Sequence, residues 1–294
     1  MKSIIFLIKD SHCGASFTCG NMVKVGLEAY EIQSQILYYD KINIKDIKDS
    51  IVVIFKHSLP IQDLITLKNN HNKIIMDVVD EFIRPQTNVT DLYPYDLFDG
   101  VISRVKKVFD EYAFPEHLEL TYLPLHWDIR FQDYPQFTPT NYTPLCLSND
   151  LRDVPHIHYL FNNKKVDFIV NLGIEAFSDP NIIKSFSQYF LHYNIRETNS
   201  IAYKFKPATK LITAAAFNTP IITNYDWAVQ DLIPHDYPFL VHNTFLDNII
   251  DFIDNIKNIS KKEWDYSLDI MKEIKYKTSL ITLIPQYIEF YNKF

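Results

Sequence analysis

The sequence is notable first for what it does not contain. Cysteine is scarce and odd in number: Cys13, Cys19 and Cys146 form no CxxC pair, which argues against a disulfide framework and for a reducing compartment. His12, Cys13 and Cys19 stand close in sequence, but their spacing matches no zinc pattern, and no metal is expected. Only five glycines occur. None builds a GxGxxG fingerprint, and GxxxxGK[ST] is also missing, which lowers the prospects of a nicotinamide enzyme or a P-loop nucleotide triphosphatase. There is no basic excess. A net charge of −7 argues against broad nucleic-acid binding, and no nucleic-acid partner is expected. No apolar run reaches membrane-spanning length without charge. The opening Ile4-Ile5-Phe6-Leu7-Ile8 is too short for a signal peptide's apolar region and reads as a buried strand. A soluble, cytoplasmic protein is expected, with at most peripheral membrane contact. Repeats and low-complexity tracts are absent.

What is present is core material and alternation. Hydrophobic residues make up 47% and aromatic residues 15% of the 294 residues, enough for two domains as a soft prior. Short continuous apolar runs recur between helical stretches, the mark of strands buried in a parallel sheet. Strands are expected at 3–8, 34–39, 51–55, 73–76, 99–103 and 119–123, with helices near 19–30, 59–69 and 104–113. After the proline-bearing segment 129–144 the alternation resumes. Strands are expected near 144–148, 166–171, 188–193, 219–223 and 238–241, and helices near 154–162, 180–186, 207–217, 226–232 and 244–257. The class is α/β: an N-terminal domain over 1–128, a linker over 129–144 and a second domain over 145–278. Residues 261–294 read as helix, with a last apolar face from Leu280 to Tyr291 that Pro285 should kink or divide.

The most informative stretch runs from Tyr203 to Ile222. Pro207 suits the first turn of a helix, and a helix start attracts anions through its N–H groups and dipole. Lys204, Lys206 and Lys210 add full charges around the same point, while Ala214, Ala215 and Ala216 allow close packing. The chemistry suggested is a phosphate or diphosphate held between the helix start and lysines. An ordinary buried helix with solvated lysines has the same composition.

Other candidates lie at strand ends, where open α/β sheets bind ligands. Gly14, in the loop after the first strand, permits close backbone approach, or the loop simply turns and caps the next helix. His12 and His57 each follow a predicted strand and are candidate bases or sugar hydrogen-bonding groups. Asp77, Asp80 and Glu81 gather beyond another strand, where like charges raise one another's pKa; the alternative is an acid-rich helix start. Arg196 offers a fork suited to a diphosphate, or pairs with Glu197 or another acid.

The stretch from Lys210 to Ile222 resembles the C-terminal-domain motif of GT-B glycosyltransferases, in which a lysine and a glutamate three residues later open a small-residue helix ending in a Gly-x-Pro-Val-type strand. Lys210 falls on the lysine and Pro220-Ile221-Ile222 on the Pro-Val strand, while Thr213 replaces the ribose-holding glutamate and Asn218 the glycine. The 9–16 loop, Lys56-His57-Ser58, the Asp77–Asp80 segment, the strand ending at Ser103 and Leu123-Pro124-Leu125-His126-Trp127-Asp128 also resemble segments of this class, in the same order. The resemblance implies two doubly wound Rossmann-like domains facing a cleft, with a C-terminal helix that crosses back to the first or packs on its own. It implies sugar transfer, without a metal or other cofactor, from a nucleotide-sugar donor to a hydroxyl of a glycan, lipid-linked or other acceptor. His12, His57 and Asp80 would serve the acceptor; Gly14, Arg196, Lys206, Lys210 and Thr213 would serve the donor. Rival readings are a nucleotide- or sugar-binding protein without turnover and a sugar-nucleotide epimerase.

Overall fold

The computed structural model describes residues 2–8, 16–55, 59–79, 94–133, 141–148, 154, 156–170, 180–196 and 204–294. The chain forms two compact units. The first comprises Met1–His126, Lys204–Pro207 and Leu280–Phe294, and the second Trp127–Tyr203 and Ala208–Ser279.

In the first unit, β1 (Ile4–Ile8), β2 (Ser34–Tyr38), β3 (Ile51–Phe55), β4 (Lys73–Val78), β5 (Gly100–Ser103) and β6 (Glu119–Tyr122) form one parallel sheet in the order β2-β1-β3-β4-β5-β6. Every strand expected in this half is there. β1, β4 and β5 are almost wholly buried, as parallel strands covered on both faces must be, so their sequences are mainly apolar runs rather than alternations, with Asp77 the buried charge in β4. β6 lies at the sheet edge and carries exposed Glu119, which pairs with Lys293 at 3.0 Å.

The expected helix at 19–30 opens differently: Ser16–Met22 is a π-helix, followed by α1 (Val23–Glu28). Within this π turn the Thr18 carbonyl is met by Nε2 of buried His126 at 3.0 Å. α2 (Ile61–Asn69) and the short α3 (Lys107–Glu111) complete the crossovers. The core joins Ile4, Phe6, Ile8, Val23 and Leu27 to Leu283, Ile284, Tyr287 and Phe290 of the last helix, α9 (Leu280–Tyr291). The helical reading of 261–294 resolves into two helices, α8 (Lys261–Lys277) and α9, separated at Thr278 and Ser279. Pro285 does not end a segment. It sits inside α9, where it offers no N–H to the carbonyl of Ile281 one turn back, a residue 76% exposed.

Asp77 does structural work at the end of β4. Arg104 donates to it through Nε at 2.9 Å and through Nη2, and spends Nη1 on the Leu123 carbonyl at 3.1 Å and the Tyr287 hydroxyl at 2.5 Å. Both charges are buried, and the fork-to-carboxylate geometry satisfies each where water cannot.

In the second unit, β7 (Leu145–Ser148), β8 (Asp167–Val170), β9 (His192–Asn194), β10 (Ile221–Asn224) and β11 (Leu240–Val241) form a parallel sheet in the order β11-β10-β9-β7-β8. α4 (Ile157–Asn162), α5 (Pro180–Ser187), α6 (Thr209–Ala216) and α7 (Leu246–Asn255) match expected helices. The helix expected at 226–232 is a run of turns instead. Asp226 Oδ1 accepts from the Ala228 and Val229 N–H groups as an N-cap would, but Pro234 stops the chain after little more than one turn. β9 starts later than the expected 188, and Tyr189 before it makes an isolated parallel bridge to Asn141. α8 opens with a capping box: Ser260 Oγ accepts from Glu263 N–H, and Glu263 Oε2 accepts from Ser260 N–H at 2.9 Å.

The closeness of α1 to α9 generates a test. Alanine is favoured over glycine within a helix by about 1 kcal/mol, yet a Cβ on Gly26 would lie 2.4 Å from Ile284 Cδ1 and 2.5 Å from Cγ1. Overpacking of this kind costs about 1–3 kcal/mol. Gly26→Ala is therefore expected to lower the urea midpoint; an unchanged or raised midpoint would mean that Ile284 moves aside at no cost.

Candidate functional site

The lysine segment folds into α6, but the helix begins later than expected. Pro207 precedes it. Ala208 is the N-cap, with φ −77° and ψ 44°, and its carbonyl accepts the first intrahelical bond from Ile212 N–H at 3.0 Å. No side chain caps this end. The positive end of the helix dipole therefore opens at Thr209 and Lys210, the geometry that suits an anion. From Leu211 to Ala216 every residue is buried, and the alanines let α6 lie along α8.

The far end of α6 explains one departure in the motif. Asn218 has φ 52°, the left-handed conformation for which glycine is the default and asparagine the next choice. Its N–H bonds the Ala215 carbonyl at 2.9 Å and the Thr219 N–H bonds the Ala214 carbonyl at 3.0 Å, a complete Schellman closure. Asparagine thus does glycine's work before Pro220 and β10.

Lys210 is half-buried on the first turn of α6. Burial pushes the Cys146 thiol on β7 up to about 11, and the nearby Lys210 ammonium pulls the other way, so the lysine's charge reaches the central strands. Thr213 is buried on the same helix. Lys206 belongs to the Lys204–Pro207 segment of the first unit, whereas Lys210, Thr213 and Arg196 belong to the second.

Arg196 follows β9, and its surroundings were not apparent in the sequence. The last ladder pair between β9 and β10 is Asn194 with Thr223. One step on, the Asn224 side chain takes over from the backbone: its Oδ1 accepts from Arg196 N–H at 2.8 Å and its Nδ2 donates to the Arg196 carbonyl at 2.9 Å. Arg196 Nη1 donates to Asp226 Oδ2 at 3.4 Å, while Asp226 Oδ1 holds the N–H groups of Ala228 and Val229 at 2.9 and 2.8 Å. All three residues are buried. An acid that pairs with Arg196 is thus Asp226, 30 residues away; Glu197 lies outside the described residues. The only sequence signal was an Asn-Tyr-Asp cluster at a strand end.

His12, Gly14, His57 and Asp80 lie outside the described residues. Among the described residues, no group of three or more His, Cys, Asp or Glu side chains is placed to hold a metal ion, and no helix is long and apolar enough to cross a membrane.

No protein-family model matches the sequence, and no curated protein matches it. Solved structures do. HepE of Anabaena, crystallised in complex with UDP and glucose, superposes with a TM-score of 0.69 at 11% identity, with 100% of each chain covered. The chain has the GT-B fold. Sucrose-phosphate synthase from Thermosynechococcus elongatus is similar over 100% of this chain and 99% of that one (TM-score 0.64, 10% identity). So is the T4 phage BGT in complex with UDP-glucose, over 100% and 98% (TM-score 0.55, 15% identity). Within the GT-B fold, the strand ends and α6 described above all lie in the second of the two α/β units.

One buried group at this sheet sets a pH dependence. His192 on β9 accepts no compensating charge, and burial lowers its pKa to about 4 despite its Nε2 contact with the Phe186 carbonyl. It stays neutral in the fold while the unfolded chain takes up a proton below about 6.5. The stabilisation is complete above that value and is lost progressively as pH falls toward 4. Between pH 7 and pH 5 the native protein is expected to lose about 2 kcal/mol more stability than His192→Gln, measured by urea unfolding at both values. Equal losses would show that His192 does not titrate differently in the two states.

Proposed function

We propose that the protein is a glycosyltransferase that moves a sugar from a nucleotide-sugar donor to an acceptor hydroxyl. The observation that carries the proposal is the lysine at the uncapped start of α6, on a chain whose whole length superposes on HepE, a structure holding UDP and glucose. The donor diphosphate would sit at this helix start, held by Lys210 and Arg196, with Lys206, shortly before Lys210 in the sequence, as a further candidate. Charge grows on the departing diphosphate as the glycosidic bond breaks. A fixed ammonium and helix dipole stabilise that charge more in the transition state than in the ground state. Thr213 would offer the donor ribose one hydrogen bond in place of a carboxylate's pair. His12, His57 and Asp80, with Gly14 for close backbone approach, would serve acceptor and donor from the first unit's loops. The acceptor is a glycan, a lipid-linked sugar or another hydroxyl compound, met in the cytoplasm or at a membrane surface. Transfer needs no metal in this scheme, because lysine and helix end supply the positive charge.

Thr213 also favours a second reading, a protein of the same fold that binds nucleotide sugars without turning them over. Steady release of nucleoside diphosphate on addition of acceptor separates the two, and mass spectrometry of the donor alone would reveal an epimerase.

The decisive variant is Lys210→Ala. Loss of a hydrogen bond to a charged group costs about 1.5–3 kcal/mol, so UDP binding measured by calorimetry should weaken by that amount and transfer should fall at least as far. Thr213→Glu, restoring a carboxylate, should tighten binding of UDP relative to UMP-free phosphate ligands such as pyrophosphate. If Lys210→Ala folds and binds UDP as the parent does, the phosphate assignment is wrong. Transfer is further expected to persist in EDTA, and its complete, reversible loss there would reveal a metal requirement.

A further inference from the structure

β9 stands at a junction in the second sheet. In the order β11-β10-β9-β7-β8 its neighbour β7 leads on through α4 to β8 at one side, while β9 leads through α6 to β10 and β11 at the other. Adjacent parallel strands whose onward connections part in this way leave a crevice beyond their carboxyl ends, and open α/β sheets take their ligands there. The last residue of β9, at that end, is Asn194. It is fully buried, and neither its Oδ1 nor its Nδ2 has a hydrogen-bond partner. The ladder step with Thr223 is made by backbone and asks for no particular side chain. Asparagine is depleted in strands, and an amide buried with both ends unmet destabilises the fold relative to an apolar side chain of its size. The sheet thus carries an unfavourable group at the one junction where its topology opens a crevice.

The other polar side chains of β9 differ. His192 Nε2 meets the Phe186 carbonyl at 3.2 Å, which leaves only Nδ1 without a partner. The Tyr193 hydroxyl also has none, but Tyr193 alternates to the other face of the strand and lies one step further from its carboxyl end.

The chemistry of the amide narrows the ligand. Oδ1 only accepts and Nδ2 only donates, so meeting both takes a group with a donor and an acceptor side by side. An ionised diphosphate offers acceptors alone. A ribose hydroxyl or the imide edge of uracil offers both. We infer that Asn194 binds the nucleoside part of the donor, accepting a hydrogen bond through Oδ1 and donating one through Nδ2, while the diphosphate is left to the start of α6. The inference rests on the nucleotide-sugar reading of this sheet.

The test titrates the full chain with UDP, 2′-deoxy-UDP and pyrophosphate by calorimetry. Asn194→Leu keeps the volume of the side chain and removes both polar atoms. It should weaken UDP binding about tenfold, the scale of one or two neutral hydrogen bonds, leave pyrophosphate binding unchanged and raise the urea midpoint. Asn194→Ala carries the test if the leucine does not fit. A loss for UDP that is absent for 2′-deoxy-UDP places the amide on the ribose 2′-hydroxyl, and an equal loss places it elsewhere on the nucleoside; either supports the inference. Tyr193→Phe, which removes the unpartnered hydroxyl from the other face of the same strand, should leave both UDP and pyrophosphate binding as they are. Unchanged UDP affinity in Asn194→Leu would hand the amide to an internal water and overturn the inference. So would an equal loss for UDP and pyrophosphate, or the same loss from Tyr193→Phe. If Lys210→Ala weakens UDP and pyrophosphate while Asn194→Leu weakens neither, the functional reading stands and this inference falls. If the parent binds no UDP, both fall together.

Discussion

One guanidinium organises the first unit. Arg104 stands immediately after β5, meets Asp77 at the end of β4, takes the carbonyl of Leu123 beyond β6 and reaches the hydroxyl of Tyr287 on α9. A buried charge of this kind leaves few alternatives. Arginine does not give up its proton, so the surrounding groups must satisfy it or the unit does not close. The strands and the last helix can each be built from apolar packing alone, but packing is tolerant of small shifts. A planar fork with directed partners is not, and it fixes where the ends of β4 and β5 stand relative to α9.

The second unit solves a similar problem in a more open way. Its central strands end at Asn194 and Asn224, and polar side chains extend the pairing where the backbone ladder stops. α6 brings an uncapped positive end and Lys210 to the same unit, tied to its neighbours by an alanine face and a Schellman closure at Asn218. The helix is therefore rigid where it packs and lacks a side-chain cap where it begins. That division of labour is what a site for an anionic ligand requires.

Much of this was legible in the sequence. Buried parallel strands are largely apolar runs, and those at 51–55 and 73–76 need no tertiary information to be recognised, although β4 runs on through Asp77 to Val78. Lys210 and its alanine turn were legible because helix start, charge and following strand are all local. Helix ends were less so: α6 starts after Pro207, and the 226–232 segment never becomes a helix because Asp226 and Pro234 bracket a turn. The Asn224 and Asp226 contacts with Arg196 were beyond reach, since they join residues 28 and 30 apart whose types alone suggest only a strand-end turn. The same holds for Arg104 and Tyr287, separated by 183 positions.

That last separation has a consequence for how the protein is made. The core of the first unit, from Ile4 to Leu123, is completed by Leu280, Leu283, Ile284, Tyr287 and Phe290. Between them the chain must build almost all of the second unit, Trp127–Tyr203 and Ala208–Ser279. During synthesis the N-terminal sheet thus waits, with the face of α1 and β1 that α9 will cover still open, until Leu280–Tyr291 has left the ribosome. Domains usually fold in the order in which they emerge, and loop closure over such a span is slow. Here the first unit to be translated is the last that can be finished, so the second unit folds while its partner is still an unsealed sheet.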